Sequence, residues 1–198
     1  IVCPPQYRDG YSENLICLPD SYQINDNNRV ISNRIFTRQE LGLPDDGFVF
    51  CSFNNSYKIT PREFDIWMCL LQQTEGSVLW LLRSNSWCEV NLIREAEARG
   101  IDGRRIVFAE RMPQAEHLAR QRQANLFLDT FNVNAHTTAS DALWAGLPVL
   151  TMAGKQFAAR VAASVLLRWS GDLMNGFVPC TGTILSSESC TRGTRIFH

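Results

Sequence analysis

Between residues 48 and 167 the chain alternates short apolar runs with longer stretches whose apolar residues return every three or four positions. Phe48–Phe53, Val78–Leu82, Arg105–Ala109, Leu126–Asp129 and Pro148–Thr151 are the short runs, rich in branched and aromatic residues. Each predicts a strand covered on both faces. The intervening stretches predict helices over Phe64–Gln73, Cys88–Arg99, Gln114–Gln123, Thr138–Ala145 and Phe157–Leu167. The first has a marked start: Thr60 caps, Pro61 fits the first helical position and Glu63 completes a capping box, after which Phe64, Trp67, Met68 and Leu71 share one face. Gly100 stops the second helix, and Gly146-Leu147-Pro148 stops the fourth. Apolar strands separated by helices predict an α/β fold, a doubly wound parallel sheet of Rossmann-like type. In such sheets ligands sit at the carboxyl ends of the strands.

The two ends break this rhythm. Residues 1–46 hold one candidate strand, Leu15–Leu18, and a polar stretch from Asp20 to Arg29. Residues 169–198 scatter Gly, Ser, Thr and Cys without a sustained helical stripe, and an irregular tail is expected there. Residues 47–168 form the regular unit.

Composition narrows the function. With 198 residues, 45% of them hydrophobic, the chain can bury a sizeable core. Nineteen basic against twenty acidic residues, a net charge of −1, disfavour nucleic acid as a partner. No apolar run reaches the roughly 18–20 residues that span a bilayer, so a membrane is not expected either. The chain opens at Ile1, with no charged-then-apolar leader, which suggests a fragment lacking a signal peptide. Seven scattered cysteines, with no CxxC pair, read as free thiols in a reducing cytoplasm. Only His117, His136 and His198 are histidines and no two have metal-ligand spacing, so no metal site is expected.

Three strand-to-helix loops carry the candidate chemistry. The first, Phe53 to Lys58, brings to the ligand edge one of only two lysines in the chain. Its compact ammonium suits a phosphate, although a solvated surface lysine is the ordinary alternative. The second, Glu110 to Pro113, leads into a helix on which His117 and Arg120 share a face. They suit a nucleotide base, or are simply the polar side of an amphipathic helix. The third runs from Asp129 to Asp141. Thr137 and Thr138 open a helix whose free amides and positive end make a diphosphate cradle, and Asp141, one turn on, can accept from ribose hydroxyls. Alternatively Thr137 only caps and Asp141 only complements the helix dipole. The pattern is neither a P-loop nor a GxGxxG fingerprint, so it does not name the ligand.

Four segments of the chain are recognisable. Phe53–Pro61 (FNNSYKITP), Ser77–Leu82 (SVLWLL) and His136–Pro148 (HTTASDALWAGLP), followed by Arg160–Ser164 (RVAAS), resemble the catalytic region of protein O-GlcNAc transferases, the bacterial members especially. The family includes the SPINDLY-type protein O-fucosyltransferases and usually carries tetratricopeptide repeats upstream. The likeness runs from about Tyr11 to Leu167. It implies the C-terminal lobe of a GT-B glycosyltransferase, with residues 1–46 as a remnant of the N-terminal lobe and inter-lobe connection.

The resemblance also implies roles. Lys58 stabilises the departing diphosphate, His136, Thr137 and Thr138 bind it, Asp141 binds ribose, and His117 and Arg120 lie beside the uridine. Asn55, Met112 and Gln114 complete the nucleotide-sugar set. Asn55 stands where the O-GlcNAc transferases commonly carry Gln, and Gln114 where a lysine often contacts the base. The implied reaction is inverting transfer of GlcNAc from UDP-GlcNAc to Ser or Thr of acceptor proteins, without cofactor or metal. No general base is identifiable, since no histidine precedes His117. The alternatives are a protein O-fucosyltransferase using GDP-fucose, a truncated and inactive nucleotide-binding module, and, at fold level only, another α/β enzyme such as a sugar-nucleotide epimerase. The truncated chain is expected to be inactive without the missing lobe.

Overall fold

The computed structural model describes residues 2–18, 21–172 and 183–185. In chain order the regular elements are β1 (Val49–Ser52), α1 (Pro61–Gln73), β2 (Val78–Leu82), α2 (Ser86–Glu97), β3 (Ile106–Ala109), α3 (Gln114–Arg120), β4 (Leu126–Leu128), α4 (Thr137–Trp144), β5 (Val149–Met152), α5 (Val161–Asp172) and β6 (Thr183–Leu185). The strands form one six-stranded sheet in the order β3-β2-β1-β4-β5-β6. Every pairing is parallel. The expected α/β doubly wound, Rossmann-like fold is therefore present. Its strand order reverses between β1 and β4, which opens a crevice at their carboxyl ends.

Alternation along the strands divides the core in two. Val49, Cys51 and Phe53 face one side of the sheet with Trp80 and Phe127, where Ala139, Ala142 and Leu143 of α4 and Val161, Ala162 and Val165 of α5 cover them. Phe50, Leu79 and Leu81 face the other, under Phe64, Trp67, Met68 and Leu71 of α1. The small residues of α4 let that helix lie close to the sheet. Its first turn therefore starts right at the crevice.

The helix boundaries follow local chemistry. Glu63 accepts from the Thr60 amide at 2.9 Å and its carboxylate meets the Thr60 hydroxyl, the expected capping box of α1. Asn85 caps α2 by accepting from the Cys88 amide. Gly146, at φ +83°, ends α4. Two predicted helices are shortened. Gln121–Gln123 forms a 3-10 turn after α3, and Phe157–Ala159 another before α5. The second break has a cause: Arg160 leaves helical geometry and donates to the Gly154 carbonyl at 2.8 Å. Gly154 is needed there, since a Cβ would lie 2.6 Å from that of Ala159.

The ends differ from expectation. Leu15–Leu18 forms no strand; no strand of the sheet lies beside it, and Ile16 is 88% exposed. At the other end the helix continues to Asp172, and Thr183–Leu185 pairs with Leu150–Met152, which corrects the expectation of an irregular tail at those residues. The rest of that expectation falls outside the described residues. Within 1–46, Phe36 and Leu43 are buried, and Ser32 donates its amide to the Ala115 carbonyl, so this stretch is tied to the lobe.

Candidate functional site

The loops after β1, β3 and β4 meet along the crevice. After β1 the chain makes a 3-10 turn, Ser56–Lys58, that brings Lys58 back toward the β4–α4 loop. The Lys58 ammonium donates to the Asn134 carbonyl at 3.0 Å. None of the ion pairs among the described residues includes Lys58, so its charge is uncompensated. The positive end of α4 adds to it.

At that helix end His136 occupies the N-cap position. Its Nδ1 is 2.8 Å from the Tyr22 hydroxyl, while its Nε2 is buried without a hydrogen-bond partner. Burial first, and the Lys58 charge second, hold its pKa below the ordinary value, which favours the neutral ring. The two threonines behave differently. Thr138 donates its hydroxyl to Asn54 Oδ1 at 2.6 Å, which uses its single proton inside the protein. Thr137 accepts from Gln23 Nε2 at 3.3 Å and keeps its own proton to give. The end of the crevice thus holds an unpaired ammonium, helix amides, one free hydroxyl proton and an orphaned imidazole nitrogen. That set suits an anion with several oxygens.

One turn along α4, Asp141 is 7% exposed and pairs with the Arg29 guanidinium. Burial raises its pKa, and Arg29 opposes the rise. Arg29 itself lies over the Trp144 ring at 5.5 Å, and its carbonyl accepts from Trp144 Nε1. A ribose at Asp141 therefore has to share that carboxylate with Arg29.

His117 and Arg120 are brought together on α3 as their spacing suggests, but they are stacked in depth. Arg120 is 1% exposed, its guanidinium 5.0 Å from the Phe53 ring centre and 5.6 Å from that of Trp80. It donates to the Glu110 carbonyl and, through Nε and Nη2, to His117 Nδ1 at 3.1 and 2.6 Å. Arginine has no acceptor, so Nδ1 must be the lone-pair nitrogen and the proton sits on Nε2. Burial, then the Arg120 charge, push the His117 pKa down to about 4. His117 is thus a neutral ring that presents an N–H. Met112 is half-buried, Gln114 and Asn55 are exposed, and the side chains of all three make no internal hydrogen bond among the described residues.

The structure adds Tyr22, Gln23, Arg29, Asn54 and Asp129, none of which the sequence singled out as a site residue. The first three lie in a polar stretch without periodicity. Asn54 and Asp129 follow β1 and β4, whose residues are mostly apolar, and that is the signal available in the sequence. Beside Tyr22 a cavity of about 260 Å³ is lined by Tyr11, Leu15, Tyr22 and Phe157, among others. Among the described residues no three His, Cys, Asp or Glu side chains gather as a metal site needs, and no helix is long and apolar enough to cross a membrane. The five described cysteines, Cys3, Cys17, Cys51, Cys69 and Cys88, are free.

Comparison with known proteins fits this geometry. The chain is 39% identical over 171 residues to the probable UDP-N-acetylglucosamine–peptide N-acetylglucosaminyltransferase SEC of Arabidopsis thaliana, covering 84% of this chain and 18% of that one. It is 42% identical over 130 residues to the UDP-N-acetylglucosamine–peptide N-acetylglucosaminyltransferase of Caenorhabditis elegans, covering 66% of this chain and 11% of that one. The chain thus spans less than a fifth of either relative. A solved structure of a lysine-to-methionine mutant of the Thermobaculum terrenum O-GlcNAc transferase superimposes with a TM-score of 0.72 at 31% identity, over 86% of this chain and 32% of that one. Residues 30–171 match the profile of glycosyl transferase family 41. With the sheet order, the crevice and this match in agreement, the chain belongs to glycosyl transferase family 41.

Proposed function

We propose that this chain is the donor-binding lobe of a protein O-GlcNAc transferase. In the whole enzyme, GlcNAc passes from UDP-GlcNAc to a Ser or Thr hydroxyl with inversion. The observation that carries this is the uncompensated Lys58 ammonium beside the α4 N-terminus. As the hydroxyl attacks the anomeric carbon, the glycosidic C–O bond breaks and negative charge grows on the departing diphosphate. Lys58, the α4 amides, the Thr137 hydroxyl and His136 Nε2 surround the place where that charge develops. Such a cradle neutralises the leaving group without a metal or other cofactor. Asp141 takes the ribose, and the His117 Nε2–H donates to a uracil carbonyl, with Met112, Gln114 and Asn55 on the rim.

Residues 1–46 then belong to the connection with a second lobe, which supplies the base and the acceptor protein. Upstream tetratricopeptide repeats and a cytoplasmic setting, in agreement with free thiols, complete the picture. No histidine in this chain precedes His117, so the reading assigns the chain donor binding and leaving-group stabilisation rather than complete transfer. The relatives named above carry UDP-N-acetylglucosamine in their names, and nothing in them supports a GDP-fucose donor.

Calorimetric titration of the chain with UDP and GDP tests the base. UDP is expected to bind at least tenfold more tightly, the worth of about one well-placed hydrogen bond. Equal binding, or preference for GDP, defeats the assignment. The threonines provide a second test. Thr137→Val removes the free donor and is expected to weaken UDP binding about fivefold to tenfold, whereas Ser in its place restores it. Thr138→Val removes no proton from the ligand and acts only through Asn54. A larger loss at Thr138 than at Thr137 contradicts the hydrogen-bond directions given above.

A further inference from the structure

The loop that presents the cradle is built around a buried acid with no cation beside it. Asp129 follows β4 directly, is 1% exposed, and joins none of the ion pairs among the described residues. Its carboxylate instead collects four donors. Oδ1 accepts from the Thr130 amide at 2.7 Å, the Ala135 amide at 2.6 Å and Asn54 Nδ2 at 3.2 Å. Oδ2 accepts from the Thr151 hydroxyl at 2.6 Å. An apolar side chain of this size would fill the space without the desolvation cost of a charge. It would not hold four donors in place.

We propose that Asp129 is the positioning residue of the donor site, setting the Lys58 ammonium and the α4 N-terminus through the loop and through Asn54. One route is backbone. A single oxygen holds the amides of Thr130 and Ala135 and so closes the loop between them. That closure aims the Asn134 carbonyl, the residue before Ala135, at the Lys58 ammonium. The other route is Asn54. Its amide nitrogen donates to Asp129 and to the Thr130 hydroxyl, which leaves its oxygen toward the Thr138 hydroxyl on α4. An ionised carboxylate accepts from all four donors at once, and only the Thr151 hydroxyl can turn round to accept instead. Burial raises the Asp129 pKa to about 6 against the pull of those same donors.

The inference rests on the donor-binding reading, and the test separates the two. In Asp129→Leu, UDP affinity is expected to fall about tenfold or more while uridine affinity changes less than about threefold, because the base lies at the α3 end of the crevice and the ribose at Asp141, a full turn beyond the α4 N-terminus that the loop holds. Asp129→Asn can turn its oxygen to the three-donor side and its amide to Thr151, so it is expected to recover most of the UDP affinity. In the nucleotide-free protein, hydrogen exchange of Asp129→Leu should quicken at 54–58 and 130–136 and stay slow in β2 and β3. If Asp129→Leu does not fold, Asn54→Ser breaks the second route and should lower the UDP-to-uridine affinity ratio in the same way. Equal losses for UDP and uridine, no loss in either, or exchange that is unchanged or rises across the whole lobe would overturn the proposal. If the unmodified chain binds no UDP, the donor reading fails, and the exchange pattern alone decides the positioning role.

Discussion

Lys58→Ala is expected to lower UDP affinity about thirtyfold, by about 2 kcal/mol, and to leave uridine affinity unchanged. The size follows from the charge state of the site. The ammonium has no acidic neighbour among the described residues and one hydrogen bond, to the Asn134 carbonyl. Its charge is therefore available to a ligand. Deleting a charge-assisted hydrogen bond costs about twice as much as deleting a neutral one. Folding stability should barely change, because the side chain is only half-buried and is not part of either core cluster. Lys58→Arg is not expected to rescue, since a planar guanidinium occupies more space and cannot approach as a point charge. Calorimetry with UDP and uridine, beside a thermal melt, distinguishes this from damage to the fold. An unchanged UDP affinity would remove Lys58 from the diphosphate site.

Arg120→Ala is expected to cost about 3 kcal/mol of stability, through the cavity it leaves and the hydrogen bonds it removes. The guanidinium lies sealed among Phe53, Trp80 and His117, so deletion leaves a hole in the sheet face and orphans the Glu110 carbonyl and His117 Nδ1. Arg120→Lys should not restore stability, because an ammonium does not span both acceptors from one plane. The pH dependence gives a sharper readout. Folded His117 has a pKa of about 4, below the unfolded value of about 6.5, so its contribution to stability falls as the pH drops through that window. Asp129, at about 6 when folded, stays protonated where the unfolded acid has ionised, so its contribution rises as the pH drops. The two oppose each other between about pH 4 and 6. Removing Arg120 takes away the second of the two causes and moves His117 part of the way back toward its ordinary pKa, which weakens its opposition to Asp129 on acidification. An NMR titration of His117 and denaturation at several pH values check both points. A His117 pKa unchanged in the variant would contradict the account of the pair.

The strands and helices of the lobe are legible in the sequence because each carries a complete local signal. Phe48–Phe53 is an apolar run broken only by Ser52, which a doubly covered strand buries, and Thr60-Pro61-Arg62-Glu63 is a capping box by itself. Thr183–Leu185 is not legible, since a short strand at a sheet edge is defined by its partner β5 rather than by its own residues. Leu15–Leu18 shows the reverse, an apolar run without a strand beside it. In the site, Lys58, Thr137 and Asp141 stand out because their loops lead into helices with a start signal. Arg29 does not, because its role depends on its pairing with Asp141, 112 positions away. Nor does spacing reveal that Arg120 lies buried beneath His117. A helical period places two residues on one face but says nothing of how deep each sits. Asp129 shows in the sequence only as an acid after an apolar strand, and such an acid is usually a turn residue. Only the four donors around it show otherwise.

The most direct measurement is a crystal structure of the chain with UDP bound. The diphosphate is expected between the Lys58 ammonium and the α4 N-terminus, within hydrogen-bond reach of the Thr137 hydroxyl. The ribose should lie at Asp141, and a uracil carbonyl should face His117 Nε2. UDP seated elsewhere, for instance in the cavity lined by Tyr11, Leu15 and Phe157, with the β1–β4 crevice left empty, would contradict the account.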